Sequence, residues 1–121
     1  MRYVDGYVLP VPKKKLQAYR RIAQMAGKVW RKHGALEYVE AVGDHLNPRW
    51  ATIRFPRMAR CKPGETVVFS FIVFKSRAHR DRVNARVMKD PLMSPEAWKD
   101  RPMPFDMKRV AYAGFKAIVD A

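Results

Sequence analysis

The segment ETVVFSFIVFK, residues 65–75, restricts the fold of this chain more than any other stretch. Its β-branched and aromatic residues predict a strand, and successive side chains of a strand point to opposite faces of the sheet. One of these faces carries four apolar side chains: Val67, Phe69, Phe71 and Val73. The other face carries Val68, Ile72 and Phe74, with Ser70 as its only polar member. A strand that is apolar on both faces needs a covering layer on each side.

The remaining segments predict three more strands and two helices. RYVDGYVLP is a strand that ends at Pro10 and Pro12, and ALEYVEAVG and RVAYAGFKAIVD are the second and last strands. Residues 13–33 follow a helical apolar spacing, and Gly34 suits a helix C-terminus. Ser76 suits the N-cap of a second helix that stops before Pro91.

The two longer connections are rich in turn residues and prolines. The basic connection of residues 44–65 predicts a short strand around residues 50–54, and residues 91–106, with four prolines, predict an irregular segment. The resulting order is strand, helix, strand, strand, helix, strand, which predicts one α+β domain over residues 1–121. We expect a ferredoxin-like βαββαβ topology, in which an antiparallel sheet carries both helices on one face.

The third strand also bears on assembly. Two helices can cover only one face of a sheet, so the face with Phe69 and Phe71 needs another cover. The simplest cover is the same face of a second copy, which predicts a homodimer whose two sheets face each other and form a dimeric α/β barrel. The alternative is that residues 91–106 of the same chain fold over that face.

Charge and composition limit the function classes. Lys and Arg number 25 against 11 acidic residues, a formal net charge of +14, so nonspecific binding to polyanions at low salt is expected. No segment is long and apolar enough for a membrane span or a signal peptide, which predicts a soluble cytoplasmic protein. The single Cys61, the spacing of the histidines and the lack of nucleotide-binding motifs predict no disulfide, no metal site and no cofactor.

Four motifs carry a resemblance to a known family: VDGYVLPVP, GKVWRKHGALEY, FSFIVFKSRAHRD and MPFD. With them, nearly the whole chain resembles the YbaA-like family of small bacterial proteins of unknown function. That family is placed in the dimeric α/β-barrel superfamily, so the resemblance implies a ferredoxin-like protomer that pairs with a second copy. It implies no catalytic residue. Cofactor-free monooxygenases belong to the same superfamily, and that analogy concerns the fold alone.

Strand alternation indicates a small-molecule cavity. Tyr3, Asp5 and Tyr7 share a face of the first strand, and Tyr38 and Glu40 share a face of the second. If these faces line the barrel, they form an aromatic pocket with a few acids, whereas the alternative is hydrogen bonding within a dimer interface. The cavity candidates are Tyr7, Tyr38, Phe71, His79 and Arg80. They fit a binding protein or an enzyme, with oxygen-dependent oxidation without a cofactor as the nearest precedent.

The first helix indicates a second function class. Its side opposite the apolar stripe carries five cations that suit contacts with nucleic-acid phosphates: Arg20, Arg21, Lys28, Arg31 and Lys32. The alternative is a general bias towards basic surface residues. The third strand matches the aromatic positions of an RNA-recognition motif but lacks its glycine and leading basic residue, so we expect Phe69 and Phe71 to be buried in the dimer interior or its cavity instead. In the second helix, Asp81 is expected to pair with Arg77.

Overall fold

The computed structural model describes all 121 residues of the sequence. The strands are β1 (Tyr3–Pro12), β2 (Glu37–Val42), β3 (Glu65–Phe74) and β4 (Ala111–Lys116). The helices are α1 (Leu16–Lys32), α2 (Phe55–Met58), α3 (Arg77–Lys89) and α4 (Pro95–Trp98), with 3₁₀ turns at Lys13–Lys15, Pro91–Met93 and Met107–Arg109. The four predicted strands and the two predicted long helices are confirmed.

The strands form one antiparallel sheet in the order β2-β3-β1-β4. The central strands β1 and β3 are aligned so that Tyr3 lies opposite Phe74 and Tyr7 lies opposite Ser70. On the outer side of β1, Tyr7 also lies opposite Tyr112 of β4. Paired residues point to the same face, so this register determines which side chains meet above and below the sheet. The α+β class and the antiparallel sheet predicted from the sequence are confirmed.

The helices α1 and α3 pack on one face of the sheet, which we call the helix face. Two clusters of buried apolar side chains form the core there. The first cluster contains Tyr3, Val29, Ala35, Ile72, Phe74, Val83 and Val87. The second contains Leu9, Val11, Tyr19, Ala23 and Val68. Removal of this apolar surface from water is the main stabilising contribution to the fold. No helix is both long enough and apolar enough to cross a membrane.

The ends of the two long helices follow the sequence signals. The Ser76 hydroxyl accepts a hydrogen bond from the backbone N–H of His79 at 3.1 Å, which satisfies one of the free donors in the first turn of α3. Gly34 has a φ of +115°, a conformation that residues with a Cβ rarely adopt, and it turns the chain after α1. Both predicted helix ends are confirmed.

The opposite face of the sheet, which we call the open face, carries no long helix. It includes Val4, Val8, Val39, Phe69, Phe71 and Phe115. Phe69 is 43% exposed and Phe115 is 56% exposed, so a single chain leaves part of this apolar face in contact with water. Residues 91–106 do not cover this face, because Met93 and Phe105 pack against the helix-face core. The alternative in which that segment covers Phe69 and Phe71 is therefore wrong.

Two local predictions are also wrong. No strand forms at residues 50–54, and the chain instead bends into α2, which has Pro56 in its first turn. The last strand stops at Lys116, although the apolar alternation continues. Its partner β1 begins at Tyr3, which lies opposite Lys116, so the residues beyond have no further strand to pair with.

Candidate ligand cavity and basic surface

A cavity of about 450 Å³ lies on the helix face, between α1, the sheet and the segment that follows α3. Its walls are mainly aromatic and thioether side chains, including Trp30, Met93, Trp98, Met103 and Phe105. Glu40 and Ser70 are the only lining residues outside the aliphatic, aromatic and methionine classes. A concave apolar site with few polar groups is the usual form of a small-molecule pocket.

Glu40 lies at the sheet side of this cavity and is held by two phenols. The Tyr19 hydroxyl donates to Glu40 Oε1 at 2.6 Å, and the Tyr38 hydroxyl donates to Glu40 Oε2 at 2.7 Å. Tyr38 and Glu40 share a face because they are two residues apart on β2, while Tyr19 reaches down from α1. Burial, with the nearby Glu40 charge, raises the pKa of both tyrosines above the ordinary value. Both phenols therefore remain donors at neutral pH.

Gly27 allows α1 to lie close above this group. A Cβ placed on Gly27 would lie 2.8 Å from the ring of Tyr38, which is closer than a carbon–carbon contact permits. A glycine inside a helix costs about 0.5–1 kcal/mol relative to alanine. The position thus gives up helix stability for a close approach of the helix backbone to the aromatic wall of the cavity.

The structure brings some of the predicted cavity residues together and separates others. Tyr7 and Tyr38 both line the cavity on the helix face. Phe71 points to the open face, beside Phe69, with the two ring centroids 6.1 Å apart. His79 is 8% exposed, and its Nδ1 accepts the backbone N–H of Lys75 at 2.9 Å. Burial lowers the pKa of His79, so the ring is a neutral acceptor that holds the start of α3.

Arg80 forms hydrogen bonds with three side chains of the protein. Its Nη1 donates to Asp5 Oδ1 and to the Tyr112 hydroxyl, each at 2.7 Å, and its Nε donates to Asp81 at 2.7 Å. The predicted pairing of Asp81 with Arg77 is wrong, because Arg80 takes that carboxylate. Asp5 is completely buried, and its Oδ2 has no hydrogen-bond partner. Burial raises the pKa of Asp5 even though the Arg80 charge opposes it.

The five cations predicted for nucleic-acid contact are all exposed on α1. Arg20, Lys28 and Arg31 border a second groove of about 700 Å³, between α1 and β2. Two of the five already have partners within the chain: Lys32 lies 3.5 Å from Asp90, and Arg31 donates to the carbonyl oxygens of Ala35 and Leu36. Arg20, Arg21 and Lys28 make no such contacts. No three His, Cys, Asp or Glu side chains converge in a way that would hold a metal ion.

Sequence reasoning missed the outer wall of the cavity. Met93, Trp98, Met103 and Phe105 lie in a segment that was predicted to be irregular, and their place over α1 depends on how that segment folds back. The signal was nevertheless present, because PLMSPEAWKDRPMPF is too rich in methionine and aromatic residues for an ordinary solvated connection.

The geometry defines a small α+β fold with a ligand-sized apolar cavity on its helix face and a partly exposed apolar face opposite. The chain belongs to the family described as protein of unknown function DUF1428, whose model matches residues 2–107. The resemblance to the YbaA-like family is confirmed by relatives named "Uncharacterized protein YbaA". Those from Escherichia coli K12, Escherichia coli O157:H7 and Shigella flexneri are each 38% identical over 120 residues, or 99% of both chains.

Among solved structures, the chain is similar to the de novo designed protein Foldit4. The TM-score is 0.48 at 13% sequence identity, with 97% of this chain and 99% of that chain covered. At that level the likeness carries no argument about fold or function.

Proposed function

We propose that this protein binds an apolar, ring-containing small molecule in the cavity on its helix face. The observation that carries the proposal is the cavity itself, about 450 Å³ and lined almost entirely by aromatic, aliphatic and methionine side chains. Methionine is flexible and polarizable, so the wall formed by Met88, Met93, Met103 and Met107 suits ligands of more than one shape.

Glu40 is the group through which chemistry on a bound molecule would proceed. It is the only carboxylate among the lining residues, and a proton acceptor at the substrate is what cofactor-free oxidation of the monooxygenase type requires. Tyr19 and Tyr38 hold its two oxygens from the protein side, which fixes the orientation of the carboxylate. Binding is the primary proposal, and proton transfer at Glu40 is the reaction that the site suits best.

Methionine methyl NMR tests the binding proposal, because six of the seven methionines divide into two groups. Four line the cavity, while Met1 and Met58 are exposed elsewhere and serve as internal controls. In a screen of small aromatic compounds, we expect hits that shift the signals of Met93 and Met103 and leave those of Met1 and Met58 in place. If no compound shifts the cavity methionines selectively, the proposal is wrong.

The proposed assembly is a homodimer of ferredoxin-like protomers that meet at the open face and form an α/β barrel. The strand order β2-β3-β1-β4 with both long helices on one side supports the topology. Phe69 and Phe115 remain exposed although Phe55 of α2 packs against Phe69, and this exposure supports the contact between two open faces. Contiguous apolar surface of this kind marks an interaction site in a soluble protein.

Light scattering after size-exclusion chromatography tests the assembly. For the wild-type protein, light scattering is expected to give a molar mass twice that of one chain. Phe71→Asp places a charge at the centre of the open face and is expected to give a monomer that keeps its circular dichroism. Leu92→Asp, at a residue 50% exposed on the other side of the molecule, is the control and should remain dimeric. A monomeric wild-type protein contradicts the proposal.

A nucleic-acid function is the second candidate, supported by the exposed and unpartnered Arg20, Arg21 and Lys28 on one helix. Such a site is expected to hold RNA through phosphate contacts at physiological salt and to prefer some sequences over others. Arg20→Gln with Lys28→Gln should then weaken binding, and Arg57→Gln with Lys62→Gln, which removes the same charge elsewhere, should not. Binding that disappears near about 0.15 M salt without preference is only a charge effect.

A further inference from the structure

The charge of Glu40 has no partner within the chain. Four acidic residues are buried or half-buried: Asp5, Glu40, Glu65 and Asp90. Three of them have a basic side chain at 2.7 Å: Arg80 for Asp5, Arg109 for Glu65 and His33 for Asp90. Glu40 has no Lys, Arg or His nitrogen within 4 Å, although Lys and Arg make up 25 of the 121 residues. Its neighbours are the two neutral phenols of Tyr19 and Tyr38.

A half-buried carboxylate without a positive partner is uncommon, because a charge removed from water is costly unless it is paired. The two phenols reduce that cost by hydrogen bonding and leave the carboxylate without an ion pair. Each carboxylate oxygen has more than one lone pair, so Glu40 can accept a further donor from the cavity side. On its cavity side the carboxylate therefore has room for a cationic donor that the chain does not supply.

The surroundings of Glu40 in the cavity also favour a cation. The ring centroids of Trp30 and Tyr38 lie 6.1 Å apart, and those of Tyr19 and Phe105 lie 5.5 Å apart. Aromatic faces attract ammonium groups, most strongly where water is excluded. No Lys or Arg lines the cavity. Glu40 also borders the neighbouring groove between α1 and β2, where Arg20, Lys28 and Arg31 lie. The chain's own cations therefore border the groove and leave the cavity side of Glu40 to a ligand.

We propose that the natural ligand is an organic cation, a protonated or quaternary amine on an apolar ring-sized body. Its positive group would lie at Glu40, and its apolar body would lie against Trp30, Phe105 and the methionine wall. This inference rests on the proposed binding function and adds the chemical class of the ligand to it. No Lys, Arg or His side chain lines the cavity, so the chain itself places no competing cation there.

Three probes of nearly equal size test the charge preference on the wild-type protein. They are 2-(1-naphthyl)ethylamine, which is a cation at neutral pH, the neutral 2-(1-naphthyl)ethanol, and the anion 1-naphthylacetate. Affinities are measured by calorimetry at about 0.15 M salt, and the methionine methyl signals identify the site. The amine is expected to bind at least about tenfold more tightly than the alcohol, with the anion weakest.

Two substitutions on β2 test the role of Glu40. Glu40→Gln keeps the size and removes the charge, and it is expected to lower amine affinity about tenfold while alcohol affinity stays within about twofold. Glu37→Gln removes the same charge from an exposed position three residues earlier and should change neither affinity. If Glu40→Gln does not fold, the ranking of the three probes on wild-type protein still decides the charge preference.

The outcomes separate this inference from the proposed function. Equal affinities for the three probes, or tightest binding of the naphthylacetate, overturn the cation inference and leave cavity binding in place. Unchanged amine affinity in a folded Glu40→Gln variant also overturns the inference. If none of the probes shifts the methionine wall, the inference and the binding proposal fail together.

Discussion

Replacement of Arg80 by leucine removes the only positive partner of a fully buried carboxylate. Asp5 is 0% exposed, its Oδ1 lies 2.7 Å from Arg80, and its Oδ2 already lacks a partner. Removal of one member of a buried ion pair typically costs about 3–5 kcal/mol, because the remaining charge stays away from water without compensation. A domain of this size has a total stability of about 5–15 kcal/mol, so Arg80→Leu is expected to be severely destabilising.

Urea unfolding followed by tryptophan fluorescence measures this cost, and a second substitution tests its cause. The double variant Asp5→Leu with Arg80→Leu removes both charges of this pair, and we expect stability within about 1 kcal/mol of wild type. The double variant should thus be more stable than Arg80→Leu alone. Arg82→Leu, at an exposed position of the same helix, is the control and should change stability by less than about 0.5 kcal/mol.

The pH dependence of Arg80→Leu has a defined sign. Burial already raises the pKa of Asp5 in the folded protein, and loss of the Arg80 charge raises this pKa further. The folded variant then binds a proton more tightly than the unfolded chain, so its deficit relative to wild type should shrink as the pH is lowered from 7 towards 4. The reasoning is refuted if Arg80→Leu lowers the free energy of unfolding by less than about 1 kcal/mol at pH 7. It is also refuted if the double variant is less stable than Arg80→Leu.

Three further substitutions test single features of the fold. Gly27→Ala is expected to cost about 1–3 kcal/mol in urea unfolding, despite a better helix propensity, because its Cβ would overlap the ring of Tyr38. Glu65 forms two 2.7 Å hydrogen bonds with Arg109, which lower its pKa to about 2. Wild type should therefore be more stable than Glu65→Gln at pH 7 and lose that advantage as the pH falls from about 4.5 towards 2, as followed by circular dichroism. Ser76→Ala is expected to lower stability by about 1 kcal/mol through loss of the α3 cap, and an unchanged urea midpoint would contradict this.

Patterns local in sequence predicted most of the fold. The alternation in β3, the cap at Ser76 and the turn at Gly34 depend on a few neighbouring residues, and each is seen in the structure. The end of β4 was not predictable in this way, because it depends on where β1 begins. Alternation divides the side chains of one strand between two faces. It does not show which side chains of the neighbouring strand lie on the same face.

The candidate site was harder to predict for the same reason. Tyr7 and Phe71 were grouped in one cavity, yet the register of β1 against β3 pairs Tyr7 with Ser70 and sends Phe71 to the other face. A shift of one residue between two strands exchanges the faces of every side chain, and no local pattern determines that shift. The cavity wall around Trp98 depends on tertiary folding in a similar way.

The alternation of β3 makes two properties of the molecule separable by genetics. Ser70 and Ile72 border the cavity, while Phe69, Phe71 and Val73 point to the open face. A saturation library over residues 65–74, sorted once for ligand retention and once for self-association, should give tolerance profiles that alternate with a period of two and are out of phase. Ten consecutive codons would thus report on both surfaces, and the phase of each profile would show which surface a selection acts on.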